Sequence, residues 1–429
     1  MKKINLGLIG AGTIGSGVIR ILQENAKEIA KRSGLQLNLH TICDLDIDKT
    51  KALLSNTTIK VTDSYQEVLT NPEITTIIEL IGGITTAYEV AAKALQAGKI
   101  VVTANKALIS EKGAELFALA KQNNTEIGYE AAVGGTIPII RSMKTGFVTN
   151  SYQAIYGILN GTTNYILTKM EEEGLDYATA LQQAQELGFA EQDPTFDVEG
   201  IDAGHKLSIL GGLASGKCIP TREIYIEGIA KISKTEIRVA KELGYRIKLL
   251  GVYKFDGETI EARVHPTMVP LNHPIAGVMN EVNAIFLQTS YSGPAMLVGN
   301  GAGSLPTANA VLSDVVFYNT RIGRDSAIVE TNYSQEAKLL PIGESSERFY
   351  IRFNTVDKPG VLGEITQILG KNQVSIASFR QSEVDEEPVE LIVITHAVQE
   401  NKLRKAIKEI DALTIAKKSS VVVRLENIS

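Results

Sequence analysis

Ile4-Asn5-Leu6-Gly7-Leu8-Ile9-Gly10-Ala11-Gly12-Thr13-Ile14-Gly15 decides the fold. The first six residues form a short apolar run, as a buried parallel strand does. The glycines follow at once in a G-x-G-x-x-G spacing. Val18–Lys31 then carries Ile19, Leu22, Ala26, Ile29 and Ala30 at helical intervals, and Gly34 predicts the stop. In a strand–turn–helix context, Gly10 permits the tight turn and Gly12 lets the backbone approach a pyrophosphate. Gly15 allows close packing of helix on strand. Ala11, Thr13 and Ile14 complete the loop whose N–H groups would face the phosphates.

The alternation continues outward. Leu35, Leu37 and Leu39 alternate with polar residues up to Cys43-Asp44, a second strand. Ile74–Ile81, Ile100–Thr103 and Thr125–Tyr129 read as further strands, with helices over Thr86–Ala97 and Glu111–Asn123. Such alternation predicts an α/β fold, a Rossmann-like doubly wound nucleotide domain over 1–130. The texture changes at Ala131-Ala132-Val133-Gly134-Gly135-Thr136-Ile137-Pro138. An α+β domain is expected over 131–299, with 300–325 returning to the first domain. A polar linker is expected over 326–347. The tail, 348–429, orders strands and helices as βαββαβ, a ferredoxin-like unit.

Composition narrows the function. The chain has 429 residues, 44% hydrophobic and 21% charged, with net charge −6. That excludes a disordered chain and disfavours a nucleic-acid partner. No stretch approaches the roughly 18 apolar residues of a membrane span. Two cysteines, Cys43 and Cys218, cannot build a disulfide framework, and a cytoplasmic location is expected.

Two regions carry the chemistry. At the end of the second strand stand Asp44, Asp46 and Asp48, without an arginine. Asp44 or Asp46 would accept from a ribose 2′-hydroxyl and repel a 2′-phosphate, which favours NAD. Thr103-Ala104-Asn105-Lys106 lies at the carboxyl edge of a parallel strand, where ligands sit in this fold. The densest constellation runs from Glu191 through Asp197 and Asp202 to Lys206. Asp202 and Lys206 are four apart and share a helix face. The apolar residues that follow predict burial, and a buried Asp/Lys pair is costly unless it serves a function. His205 reads as structural.

Residues 184–206, Ala-x3-Gly-Phe-Ala-x2-Asp-Pro-x2-Asp-Val-x-Gly-x-Asp-x3-Lys, resemble the signature of homoserine dehydrogenases. Asn105-Lys106, the stretch Gly157–Leu167 and Gly301-Ala302-Gly303 are similar to that family as well, and the resemblance covers about 1–325. The tail over 349–425 resembles an ACT domain, an amino-acid-sensing module.

The resemblance implies interconversion of L-homoserine and NAD(P)⁺ with L-aspartate 4-semialdehyde and NAD(P)H. It implies proton transfer by Lys206 and places Lys106 beside the nicotinamide and the reacting oxygen. Glu191 and Asp202 would hold the substrate, with Asp197 in the same pocket. Thr103 and Gly303 would lie near the cofactor. A monovalent cation, usually sodium, would be held by Glu130, Val133, Gly135 and Ile137, largely through backbone carbonyls. Many NADP-using relatives place an arginine where this chain has Cys43, so NAD, or dual use with NADP, is expected. Asp357, Gly360, Val361 and Leu362 would form an effector site, with L-threonine as the expected ligand, in a homodimer or homotetramer.

Three rivals are weaker on the residues. A thiol-dependent semialdehyde dehydrogenase needs a nucleophilic cysteine with a base in the substrate region. A phosphoglycerate-dehydrogenase-like enzyme inserts its nucleotide fold mid-chain, whereas here it begins at Ile4. A non-enzymatic amino-acid sensor would not need Lys106, Glu191, Asp202 and Lys206 together.

Overall fold

The computed structural model describes residues 1–54, 58–321, 335–381, 388–426 and 428. Residues 322–325 of the segment expected to return to the first domain and 326–334 of the expected linker lie outside them. The chain forms two compact units, the first made of 1–161, 202–224 and 281–337, the second of 162–201, 225–280 and 338–429.

The first unit begins with β1 (Lys2–Ile9), α1 (Thr13–Ser33), β2 (Leu35–Cys43), α2 (Ile47–Ala52), β3 (Lys60–Thr62) and α3 (Tyr65–Thr70). It continues through β4 (Thr76–Glu79), α4 (Thr85–Gln96), β5 (Ile100–Thr103), α5 (Lys106–Gln122) and β6 (Ile127–Gly128). The six strands form a parallel sheet in the order β3-β2-β1-β4-β5-β6. Such an order reverses direction between β1 and β4, the place where ligands bind in doubly wound sheets.

Helix α1 starts at Thr13, five residues before the expected Val18. Its first turn is rich in glycine because side chains would collide there. A Cβ on Gly15 would lie 2.1 Å from the Gly10 carbonyl oxygen, and one on Gly17 2.8 Å from that of Ser304. Packing overrides the poor helix propensity of glycine. Similarly, α5 begins at Lys106 and not at Glu111, because Asn105 caps it by accepting from Leu108 N.

Short α6 (Ile139–Arg141) and strand β7 (Tyr152–Ile158) follow in the first unit. The second unit takes α7 (Gly161–Glu172, from Thr162 onward), α8 (Tyr177–Glu186) and α9 (Thr195–Val198). The first unit then contributes α10 (Ile201–Ser215, from Asp202), an almost wholly buried helix. Strands β8 (Tyr225–Ile226), β9 (Tyr245–Phe255) and β10 (Ile260–Pro270), with α11 (Lys234–Glu242), belong to the second unit.

Ahead of the glycine-rich residues 299–303 lies a hairpin: β11 (Val282–Thr289) and β12 (Gly293–Asn300) pair antiparallel, and β11 pairs with β7. Helix α12 (Ser304–Arg321) packs Ala308, Val311, Leu312 and Val315 into the core formed by Val18, Ile19, Leu22 and the strands β1 and β2.

The tail contains β13 (Ser346–Thr355), α13 (Val361–Lys371), β14 (Ile376–Gln381), β15 (Val389–Thr395), β16 (Val398–Gln399), α14 (Glu400–Asp411) and β17 (Ala416–Leu425). Phe349, Ile351, Phe353, Ile365, Leu369, Leu403 and Ile410 form its core. Its sheet continues into the body of the second unit: β17 pairs parallel with β10, giving the order β9-β10-β17-β13-β15-β14. A buried ionic cluster ties the seam. Arg263 pairs with Glu261, Glu347 and Glu426, and Lys254 with Glu347 and Glu426.

Candidate active site

Gly10 adopts φ +98° at the end of β1, and a Cβ there would lie 2.6 Å from the Leu80 carbonyl oxygen. Gly12 faces open space, with no atom within 4 Å of a Cβ position. It is the N-cap of α1 and no side chain occupies the cap, so the helix end with Thr13 and Ile14 is open to an anion. The loop therefore fits a dinucleotide pyrophosphate. Asp44 turns its carboxylate onto this loop and accepts from Ala11 N at 2.6 Å and Asp46 N at 2.9 Å. Asp46 is turned away, capping α2 through Lys49 N. Of the two acids left open by the sequence, Asp44 stands at the loop. Gly303, at φ +119°, adjoins Ser304, whose hydroxyl donates to Thr13 O, so it also stands beside the loop.

At the edge of β5, Thr103 donates to Glu79 (2.6 Å) and accepts from Asn105 N (2.9 Å). Glu79 also accepts from Ile81 N, and burial raises its carboxyl above the ordinary range. Asn105 donates to Gly83 O at 2.5 Å. This network holds the start of α5, and with it Lys106.

Lys106 Nζ lies 2.6 Å from Asp202 Oδ1, and Lys206 Nζ donates to Asp202 Oδ2 at 2.7 Å. Asn160 donates to the same Oδ2 at 2.9 Å, and Lys206 also donates to Leu159 O at 2.7 Å. Burial alone would raise the Asp202 carboxyl, but the ammonium groups of Lys206 and Lys106 outweigh it and hold it well below the usual range. One buried carboxylate thus aligns two lysines from different helices. Asn105 and Asn160 lie in stretches that resemble the family, but sequence reasoning assigned neither a role; Glu79 was missed altogether, since a lone acid at a strand end carries no local signal.

Glu191 and Asp197 belong to the second unit. Glu191 is exposed, and its carbonyl accepts from Gln185. Asp197 is half-buried in α9, 3.4 Å from the Thr162 hydroxyl.

The segment expected to hold a cation has consecutive left-handed glycines, Gly134 (+71°) and Gly135 (+54°). The Glu130 carboxylate is already committed, accepting from Ile140 N (2.7 Å) and Arg141 N (2.9 Å). Burial and the nearby Asp314 raise its carboxyl to about 7. The donors that remain for an ion are backbone carbonyls, which suit a hard monovalent cation. Among the described residues there is no cluster of three or more His, Cys, Asp or Glu side chains that could hold a metal. No helix among them is long and apolar enough to cross a membrane.

A parallel sheet with an open glycine loop at its switch point, beside a lysine–carboxylate–lysine cluster, defines a nicotinamide-dependent oxidoreductase. Comparison gives the family. The description "Homoserine dehydrogenase, NAD binding domain" matches residues 10–130, "Homoserine dehydrogenase" 138–316 and "ACT domain" 349–414. A homoserine dehydrogenase of Neisseria gonorrhoeae is 39% identical over all of both chains. The crystal structure of a homoserine dehydrogenase from Thiobacillus denitrificans is 38% identical, with a TM-score of 0.94 over 100% of this chain and 99% of that one. A hyperthermophilic archaeal homoserine dehydrogenase in complex with NADPH is 27% identical, with a TM-score of 0.63 over 75% of this chain and 98% of that one. The chain belongs to the homoserine dehydrogenase family. Its reaction is accordingly the reversible oxidation of L-homoserine to L-aspartate 4-semialdehyde with a nicotinamide cofactor, in amino-acid biosynthesis.

Proposed function

We propose that Lys206 transfers the proton in this reaction and that Lys106 polarises the reacting oxygen. The carrying observation is the Asp202 carboxylate held between both ammonium groups at 2.6 and 2.7 Å. In oxidation, the neutral Lys206 amine takes the hydroxyl proton of homoserine as hydride leaves C4. The cofactor supplies the hydride acceptor. In reduction, the ammonium returns a proton to the aldehyde oxygen. Asp202 aligns both lysines, and its own oxygens are engaged by them and by Asn160. Glu191 and Asp202 keep the substrate-binding role that the family resemblance gives them, toward the substrate ammonium, with Asp197 in the same pocket. Homoserine-dependent reduction of the cofactor by wild type and Lys206→Ala is the test, and near-normal turnover in the variant would overturn the assignment.

The finer features follow the same reading. NAD is the preferred cofactor, because Asp44 places a negative charge at the loop and Cys43 stands where an arginine would hold a 2′-phosphate. A monovalent cation, Na⁺, binds the carbonyls of Glu130, Val133, Gly135 and Ile137. In the tail, Gly360 (φ +94°) precedes α13 as an N-cap without a side-chain bond, leaving N–H groups for an effector carboxylate. L-threonine is that effector, held by Asp357, Gly360, Val361 and Leu362. The enzyme works as a homodimer or homotetramer in the cytoplasm.

A further inference from the structure

Two described polar contacts join helices α5 and α10. On α5, Lys106 and Ser110 are four residues apart and share a face. On α10, Asp202 and His205 are three apart and share a face. Lys106 meets Asp202 at 2.6 Å, and Ser110 Oγ meets His205 Nδ1 at 2.7 Å. The contacts are consecutive rungs of one ladder, about one helical turn apart. Ser110 and His205 are 9% and 8% exposed. The Ser110 hydroxyl also faces Ala107 O at 3.2 Å. Both contacts are made if His205 Nδ1–H donates to the hydroxyl, which donates on to that carbonyl.

The first rung cannot set the geometry alone. The Asn105 cap holds the backbone at the start of α5, but the long Lys106 side chain is a third exposed and keeps its rotamer freedom beyond that cap. One flexible ion pair lets two helices pivot about it. A second, buried rung one turn inward removes that freedom. His205 is also the residue before Lys206, so rotating α10 to misplace Lys206 must break the Ser110 contact.

We infer that Ser110 and His205 are positioning residues that fix Lys106 and Lys206 in catalytic register. The inference rests on the roles proposed above for the two lysines.

The test uses the full-length enzyme and steady-state kinetics on Ser110→Ala, His205→Phe, the double variant and His205→Asn. The asparagine amide reaches the place of Nδ1. Loss of register costs turnover more than binding, so each single variant should lower kcat roughly tenfold with the nicotinamide KM little changed. The double variant should be no slower than the slower single one, because one rung is lost either way. His205→Asn should recover most of the activity. Unchanged kcat in Ser110→Ala, the smallest alteration, would overturn the proposal even if His205→Phe failed to fold. Losses that multiply in the double variant would overturn it too. Lys206→Ala, run alongside, reports separately on the lysine assignment.

Discussion

Asp44, at the end of β2, accepts a 2.6 Å hydrogen bond from the backbone N–H of Ala11 in the glycine loop. One carboxylate therefore holds the loop in shape and sets the charge beside it. Wild type should prefer NAD over NADP. Cys43→Arg with Asp44→Ser should shift the kcat/KM ratio toward NADP, while overall affinity falls because the loop loses its anchor. An enzyme that works only with NADP would sink this reading.

Asp202→Asn should damage both rate and stability. It removes the charge that two ammonium groups share, leaving the buried Lys206 without its counter-ion. A loss of about 3 kcal/mol in unfolding free energy is expected, with kcat reduced at least tenfold. Denaturant titration and turnover assays measure the two effects. A variant of normal stability and rate would show that the cluster is incidental.

Stability should fall in acid through a histidine. His265 accepts from Arg263 Nε through its Nε2, and its Nδ1 lies 2.9 Å from the Thr267 hydroxyl. Burial, then the charges of Arg424 and Arg263, hold its pKa well below 6.5. The folded state keeps this ring neutral, while the unfolded chain takes up a proton below about pH 6.5. Stability from this group is thus present above about pH 6.5 and declines as pH falls below it, at up to about 1.4 kcal/mol per pH unit. His265→Gln should be less stable at pH 8 but should lose less between pH 6.5 and 5. Unfolding curves with equal slopes for both proteins would refute this.

Calorimetry of the full chain with L-threonine should give heat of binding and inhibition. The whole chain is needed because β17 shares a sheet with β10. Gly360→Val should abolish the heat, since φ +94° strains any β-branched residue. If wild type neither binds nor responds to threonine, the tail only serves assembly.

Much of this was legible in local sequence. The glycine loop, the alternating strands and helices, and the βαββαβ tail all depend on residues near one another, and periodicity and turn chemistry report on those directly. The Asp202–Lys206 pair was readable because both sit on one helix at a spacing that fixes their face.

What the sequence by itself determined was the doubly wound nucleotide fold, the tail and the lysine–carboxylate helix. Only tertiary structure decided that Lys106 meets Asp202 across 96 residues of chain, that Asn160 joins them and that Ser110 meets His205. It also decided that Asp44 lies on the loop while Asp46 caps α2, and that the β11–β12 hairpin joins its sheet through β7. The physical reason is that these contacts join residues distant along the chain. Local propensity says which face a side chain occupies, but only the packing of helices and strands says what that face meets.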